Sequence, residues 1–438
     1  MFIGQFEIHV DSFFNFEYVP SNYLKILFRR DLELTGLSLI NPYIRSIIAL
    51  LPRPLRGLKV IEASTLVAGP ALGSLLSTLG ATVIKIEQPK IGDPSRQVSP
   101  WGFANYNYGK KSVCLNLKSA EGKKILWKLI STADLFIENL GPDVPERLGF
   151  SFPHLRRLNQ KLVYCSIKGF ARGTKDYYKP AFDAIAQALS GTMSLTGEPD
   201  GEPLRVGNPS VDLGAAAYGA IEILAALLES RSTGVGRFVE ISLLDMSVYW
   251  NGYWLTYYGI SGNVPQRLGS GHFGYCPHRV FKTRDSQFIF IATLNDSQWK
   301  KLDEVLRLNL PRSYDQMSFR LKHRHQVEER ISKRIGMLDA QEAIRRISSQ
   351  TPCAKVNTIR DVYRNRELST RNVLALTNYN GKKVKIVTPP TVQHQSLRKG
   401  RANRVAAVPN LGADTHKTLR ELGYDEESIR YLESRQII

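Results

Sequence analysis

No two cysteines in this chain stand close enough to chelate a metal from one loop. Cys114, Cys165, Cys276 and Cys353 are its four cysteines, scattered along 438 residues without a C-x-x-C pair. That excludes a zinc knuckle and a disulfide scaffold and fits a reducing compartment. Histidine is also sparse, with eight residues. Its one close pair, His323 and His325 in "KHRHQ", reads as an exposed basic face, so no metal is expected. Phosphate and nucleophile signatures are missing as well. There is no P-loop, no G-x-S-x-G elbow and no H-E-x-x-H, so covalent chemistry would fall to a carboxylate.

Uninterrupted apolar runs near the start are lacking too. "LTGLSLINPYIRSIIALLP" is broken by Asn41, Pro42 and Arg45 and is too short to span a bilayer. The opening "MFIGQFEIHVDSFFNFEYV" carries Glu7, Asp11 and Glu17 without an early basic cluster or a small-residue cleavage site. The expectation is a soluble cytoplasmic protein, the same acids counting against mitochondrial import. Acidic residues are outnumbered, 40 against 59 basic ones, for a net charge of +19. Between Arg279 and Arg420 lie about 29 Lys and Arg and about 12 Asp and Glu, an excess of roughly 17. A nucleic-acid role would rest on that charge alone, because the basic residues are dispersed and no nucleic-acid motif accompanies them. A solvated surface explains them more simply.

What the chain does have is an apolar fraction of 43%, enough for a sizeable core, and an α/β rhythm. "LKVIEA" reads as a strand, "GPALGSLLSTLG" as a helix with Pro70 in its first turn and Gly80 as its stop, and "TVIKIE" as a strand. That βαβ unit implies a parallel sheet. Strand "SVCLNL", a helix capped by Ser119, and strands "DLFIENL" and "LVYCSIKGF" continue it. Helix "DAIAQALSG", a long helix from "GNPSVDLGAA" onward and strand "RFVEISLL" follow. The first βα turn carries Gly69 and Gly73 but not the G-x-G-x-x-G spacing, so a dinucleotide fingerprint is absent. After Trp250, "GSGHFGYCPHRVF" reads as a loop before strand "FIFIATL" and a set of basic helices. "TPCAKVNTI" reads as a return connection, and two short amphipathic helices close the chain. Asp212 stands alone among small residues where the long helix begins. Taken locally it is an N-cap, since Asp accepts bonds from free first-turn N–H groups.

"GLKVIEASTLVAGPALGSLLSTLGATVIKIEQPKIGDPSR" resembles the opening of the family III CoA-transferases. The likeness continues through "KKSVCLNLKSAEGKKIL", "DLFIENLGPDVPERLGF", "AFDAIAQALSG" and "GSGHFGYCPHRVFKTRDS" to the closing "LRELGYDEESI". The resemblance implies an α/β fold whose large Rossmann-like domain is built by both chain ends around an inserted smaller α+β domain, paired as an interlocked homodimer. The boundaries it suggests are an N-terminal extension of unknown role at 1–54 and the first part of the large domain at 55–255. A linker and small domain then occupy 256–350, and the return and C-terminal part 351–438.

The resemblance also implies an activity, the movement of CoA from an acyl-CoA thioester to a free carboxylic acid. Asp212, 29 residues beyond Asp183, would be the nucleophile, carrying anhydride and aspartyl-CoA intermediates, and so cap and catalyst at once. First-turn N–H groups beside it would meet the oxyanion, and Gly214 with Ala215 to Ala217 would leave room for the thioester. The implied CoA contacts are Val67, Ala68, Gln88, Asn116, Lys118, Asn139, Arg147 and the pair Phe182 and Asp183. Gly269 and Gly271 in "LGSGH" would form a lid. Gln88 and Pro180 depart from basic positions of the family. CoA is then a substrate, and no tightly bound cofactor is implied. Two alternatives are a 2-methylacyl-CoA racemase, disfavoured because Phe182 stands where a proton-carrying histidine is needed, and a non-catalytic CoA-binding scaffold.

Overall fold

The computed structural model describes residues 54–390 and 405–438, so the expected N-terminal extension lies, apart from Pro54, outside the described residues. Six short strands form the main sheet: β1 (Lys59–Ala63), β2 (Thr82–Glu87), β3 (Lys111–Cys114), β4 (Leu135–Glu138), β5 (Val163–Lys168) and β6 (Phe238–Ser242). All pairings are parallel, in the order β3-β2-β1-β4-β5-β6. Strands covered on both faces read as continuous apolar runs, and every residue of β4 and β5 is buried. The order reverses between β1 and β4, and the crevice outside their carboxyl ends is where such sheets bind ligands.

Helices α1 (Ala68–Thr78) and α2 (Pro100–Asn107) follow β1 and β2, and α3 (Ala120–Ile130) follows β3. The Ser119 hydroxyl accepts from Gly122 N at 3.0 Å, making the expected cap of α3. Next come α4 (Asp183–Leu189), α5 (Ser210–Thr233), α6 (Leu243–Trp250) and α7 (Gly252–Ser261). One face of the sheet packs α1 and α5 around Leu72, Leu76, Ile223 and Val163. The other packs α3 around Leu126, Leu129 and Phe136. Among the described residues, α5 alone is long and apolar enough to cross a membrane. In the structure its Gly214, Ala215, Ala216, Gly219 and Ile223 are buried against the sheet and its neighbours.

The chain's end returns to the main sheet. Helices α11 (Thr415–Glu421) and α12 (Glu426–Ser434) place Leu419, Ile429 and Leu432 in the α3-side core. The segment also occupies the free edge of β3. Ser112 N donates to Asp414 Oδ2 at 3.0 Å, Cys114 N to Thr415 Oγ1 at 3.0 Å, and Asn116 N to Ile437 O at 2.7 Å. An edge strand with its donors occupied no longer recruits another chain.

A second, antiparallel sheet joins β7 (His278–Lys282), β8 (Phe288–Ala292) and β9 (Cys353–Lys355). Helices α8 (Asp296–Leu306), α9 (Arg324–Ile335) and α10 (Ala340–Ile347) cover it with Trp299, Ile331 and Ile347, giving a separate core. Two readings change here. "HRVFK" is a strand and not the end of a loop, and "CAK" is the third strand of this sheet and not part of a connection. A hairpin, β10 (Leu374–Tyr379) with β11 (Lys382–Val387), follows.

Candidate active site

The turns that leave β1, β4, β5 and β6 at their carboxyl ends surround a cleft of about 350 Å³. Its walls include Leu66 to Ala68, Asn139 to Asp143, Tyr178 to Phe182 and Asp212. The Asp212 carboxylate makes no hydrogen bond or ion pair to any described residue. Burial, and then the charge of Asp183, push its pKa up to about 7. Its charge in turn adds to burial in raising the Tyr106 phenol. A half-buried carboxylate that lines a cleft and is committed to nothing else is available as a nucleophile.

The capping role belongs to another acid. Helix α5 begins at Ser210, so Asp212 is its third residue, and its side chain makes no cap bond. The cap comes from Asp183, whose Oδ2 accepts from Val211 N at 2.8 Å and Asp212 N at 3.3 Å. Gln187 Nε2 donates to the other oxygen of Asp183 at 2.5 Å, while Gln187 Oε1 accepts from Val206 N at 2.9 Å. This chain of polar contacts fixes α4 against the start of α5. It also corrects the expectation that α5 offers N–H groups to an oxyanion. Ser210 N and Leu213 N donate to Asn208 O and Pro209 O, so the first-turn donors are used.

Free donors lie across the cleft instead. Val67 N, Ala68 N and Gly69 N, where α1 begins, have no acceptor among the described residues, and Val67 and Ala68 line the cleft. The neighbouring Asn139 is committed to the fold. Its Oδ1 accepts from Thr65 N and its Nδ2 donates to Thr65 O, both at 2.8 Å, so it joins the turn after β4 to the turn after β1. Room at Gly214 is not for a thioester, because a Cβ there would meet Met246 Sδ and Trp250 Cζ2 at 2.6 Å each. The glycine lets α6 pack against α5.

The other implied contacts are spread along the same sheet edge. Phe182 is exposed and lines the cleft, beside buried Asp183. Gln88 and Lys118, exposed, follow β2 and β3. Asn116 Oδ1 caps its own turn by accepting from Lys118 N at 3.1 Å. Arg147 is exposed, with Asp143 at 3.8 Å as its ion-pair partner. None of these four lines the Asp212 cleft. Nor do Gly269 and Gly271. Gly269 N donates to Gly197 O at 2.9 Å, and a Cβ on Gly269 would meet the Glu198 carboxylate at 2.5 Å. Arg267 ties that neighbouring segment down by donating to Gly201 O at 2.8 Å. Sequence reasoning missed Leu66, Tyr178 and Gln187. A bulky Leu66 at φ 65° had no local signal, and the polar link through Gln187 joins residues that are distant along the chain.

Residues 55–415 match the model of CoA-transferase family III. The chain is 32% identical over 388 residues to a succinate–glutarate CoA-transferase of Agrobacterium fabrum, covering 84% of this chain and 96% of that protein. It is 30% identical over 399 residues to the succinyl-CoA:glutarate CoA-transferase of Mus musculus, covering 87% and 89%. A crystal structure of a CaiB/BaiF family protein from Brucella suis superposes with a TM-score of 0.76 at 27% identity, covering 84% of this chain and 99% of that one. The chain belongs to CoA-transferase family III and is an enzyme that transfers coenzyme A.

Proposed function

We propose that the enzyme moves CoA from a short acyl-CoA to a free dicarboxylic acid, with Asp212 as the nucleophile. The observation that carries this reading is the unpartnered Asp212 carboxylate facing the cleft, freed from capping by Asp183. One Asp212 oxygen attacks the thioester carbon, the C–S bond breaks, and a mixed anhydride and CoA thiolate result. The thiolate then attacks the aspartyl carbonyl and releases the donor acid, leaving an aspartyl-CoA thioester. The acceptor carboxylate attacks that thioester and expels the thiolate again. Return of the thiolate to the acceptor's acyl carbon gives the new acyl-CoA and restores Asp212. No proton needs to move, which suits a site whose nearest other acid is occupied as a cap. Val67 N and Ala68 N are the donors placed to meet the oxyanion. The dicarboxylate class is supported by the names of the relatives and by the basic composition. Racemisation has no such support, because exposed Phe182 cannot carry a proton.

The decisive experiment pairs succinyl-CoA, acetyl-CoA and other acyl-CoAs with a panel of free mono- and dicarboxylic acids, products read by mass spectrometry. A new acyl-CoA from at least one dicarboxylate is expected. Exchange with monocarboxylates alone would refute the substrate class. For the nucleotide end, Arg147 is the proposed phosphate contact, because its guanidinium is exposed and only loosely paired. Arg147→Ala should weaken CoA binding by about 1.5–3 kcal/mol. Unchanged calorimetry would place Arg147 outside the site.

The second sheet with its own core is read as the smaller domain inserted between the two parts of the larger one. The assembly is read as an interlocked homodimer. Its support is exposed apolar surface: α7 has no buried residue, and Tyr249, Tyr253, Tyr258 and Ile260 on α6 and α7 are exposed. Light scattering should give about twice the 49.3 kDa chain mass, whatever the dilution. A folded, active monomer would rule the assembly out.

A further inference from the structure

Two buried lysines reach backbone carbonyls of the turns that wall the cleft. Lys85 on β2, 0% exposed, donates from Nζ to Ser64 O at 2.7 Å, and pairs with Glu62 Oε1 at 3.1 Å and Asp93 Oδ2 at 2.9 Å. Lys168 at the end of β5 donates to Leu140 O at 2.7 Å and to both oxygens of Glu138 at 2.7 Å. Each lysine is thus neutralised by a glutamate at or near the end of the adjoining strand. Those strands, β1 and β4, flank the point where the sheet order reverses. The device is repeated, once for each turn.

The first turn is held most completely. Asp93 Oδ1 accepts from Leu66 N at 3.2 Å, and Asp93 is itself fixed through its N–H to Glu87 Oε2 at 2.9 Å. Lys110 Nζ donates to Pro70 O at 2.8 Å and to Glu62 Oε2 at 2.7 Å. Gly73 makes room for that carboxylate, since a Cβ there would meet Glu62 Oε2 at 1.9 Å. Leu66 needs this grip, because φ 65° is a left-handed conformation that a leucine adopts at a cost. Burying four charges is expensive and rarely the cheapest route to stability. Here they converge on the backbone between Ser64 and Pro70, the segment that presents Val67 N and Ala68 N.

We infer that Glu62, Lys85, Asp93 and Lys110 are positioning residues that hold the Ser64–Val67 turn in the shape required by the thioester. This rests on the reading of the Asp212 cleft as the thioester site. The quartet carries no net charge, and none of its members lines the cleft, so it acts through the backbone alone.

The test compares Lys85→Met with the charge-balanced double variant Lys85→Met/Asp93→Ala in the full-length protein. The single change strands two buried acids against one lysine and should melt well below wild type. The double change restores balance and should recover much of that loss, yet leaves Ser64 O and Leu66 N ungripped. Amide hydrogen exchange at Thr65 and Leu66 should be at least tenfold faster in the double variant than in wild type. Its kcat/KM for acyl-CoA, measured far below its melting temperature, should fall at least tenfold with KM raised. Wild-type exchange at those amides, or kinetic constants that return together with stability, would overturn the inference. If Lys85→Met does not fold, the double variant against wild type carries the comparison. The amide readout needs no substrate, so failure of the proposed activity in wild type is a separate result.

Discussion

Asp212→Asn should keep the fold and lose CoA exchange by at least about 10³-fold, as expected when a covalent nucleophile is removed. Asn is nearly isosteric, and the cap of α5 does not depend on this side chain, because Val211 N and Asp212 N donate to Asp183. The amide nitrogen and oxygen of Asn are too weakly nucleophilic to open a thioester. Wild-type enzyme given an acyl-CoA and quenched with hydroxylamine or borohydride should carry a modified Asp212, and the variant none. Stability moves in the opposite sense from a lost cap. The pKa of Asp212 is raised from an ordinary 3.8 to about 7, so the folded protein keeps a proton there that the unfolded chain has released. Between about pH 4 and pH 7 wild-type stability therefore declines relative to the variant as pH rises. The variant should melt above wild type at pH 8, the difference closing towards pH 4. A variant that still exchanged CoA would end the assignment of Asp212, and a lower melting temperature at pH 8 would end the account of its charge.

That correction shows where local reading stops. Cap rules weigh a residue against its sequence neighbours, and Asp212 satisfies them, yet the carboxylate that caps α5 arrives from a helix 28 residues upstream of Val211. The strands of the main sheet were legible because burial on both faces leaves plain apolar runs such as "LVYCSI". "HRVFK" was not, since His278, Arg279 and Lys282 break the apolar pattern and a turn-rich stretch precedes it. "CAK" is too short to carry any pattern. Gly214 looked like space for a ligand and is space for Met246 and Trp250, a distinction that depends on which helix crosses there. The spacing from Asp183 to Asp212 had meaning only through the family resemblance. Of the polar residues that hold the cleft, Lys85 and Gln187 looked like ordinary strand and helix positions and Asn139 like a CoA contact, because their partners are brought to them by the fold.

Asp183 is the second residue at which a single substitution should change the enzyme's behaviour most. Its carboxylate does two things, and mutation separates the charge from the bond to α5. As an acceptor it holds the first turn of α5, and with it the direction in which Asp212 points. As a negative charge it raises the pKa of Asp212, second to burial. Asp183→Ala removes both, and should cost about 1–3 kcal/mol of stability and lower kcat on the order of 10²-fold by misdirecting the nucleophile. Asp183→Asn keeps an acceptor for Val211 N while it removes the charge and the acceptor for Gln187 Nε2. The attacking form of Asp212 is the carboxylate, so wild-type kcat/KM should rise with pH through a midpoint of about 7. In Asp183→Asn the like charge is gone, the ionised form is favoured, and the midpoint should move below 7. Burial persists, so the midpoint should stop short of an ordinary aspartate's. A pH–rate profile of wild type and both variants decides it. An acid limb that does not move in Asp183→Asn would mean that the limb reports a group other than Asp212. A limb that moves upward would overturn the account of Asp183 as a like charge that raises the pKa of Asp212.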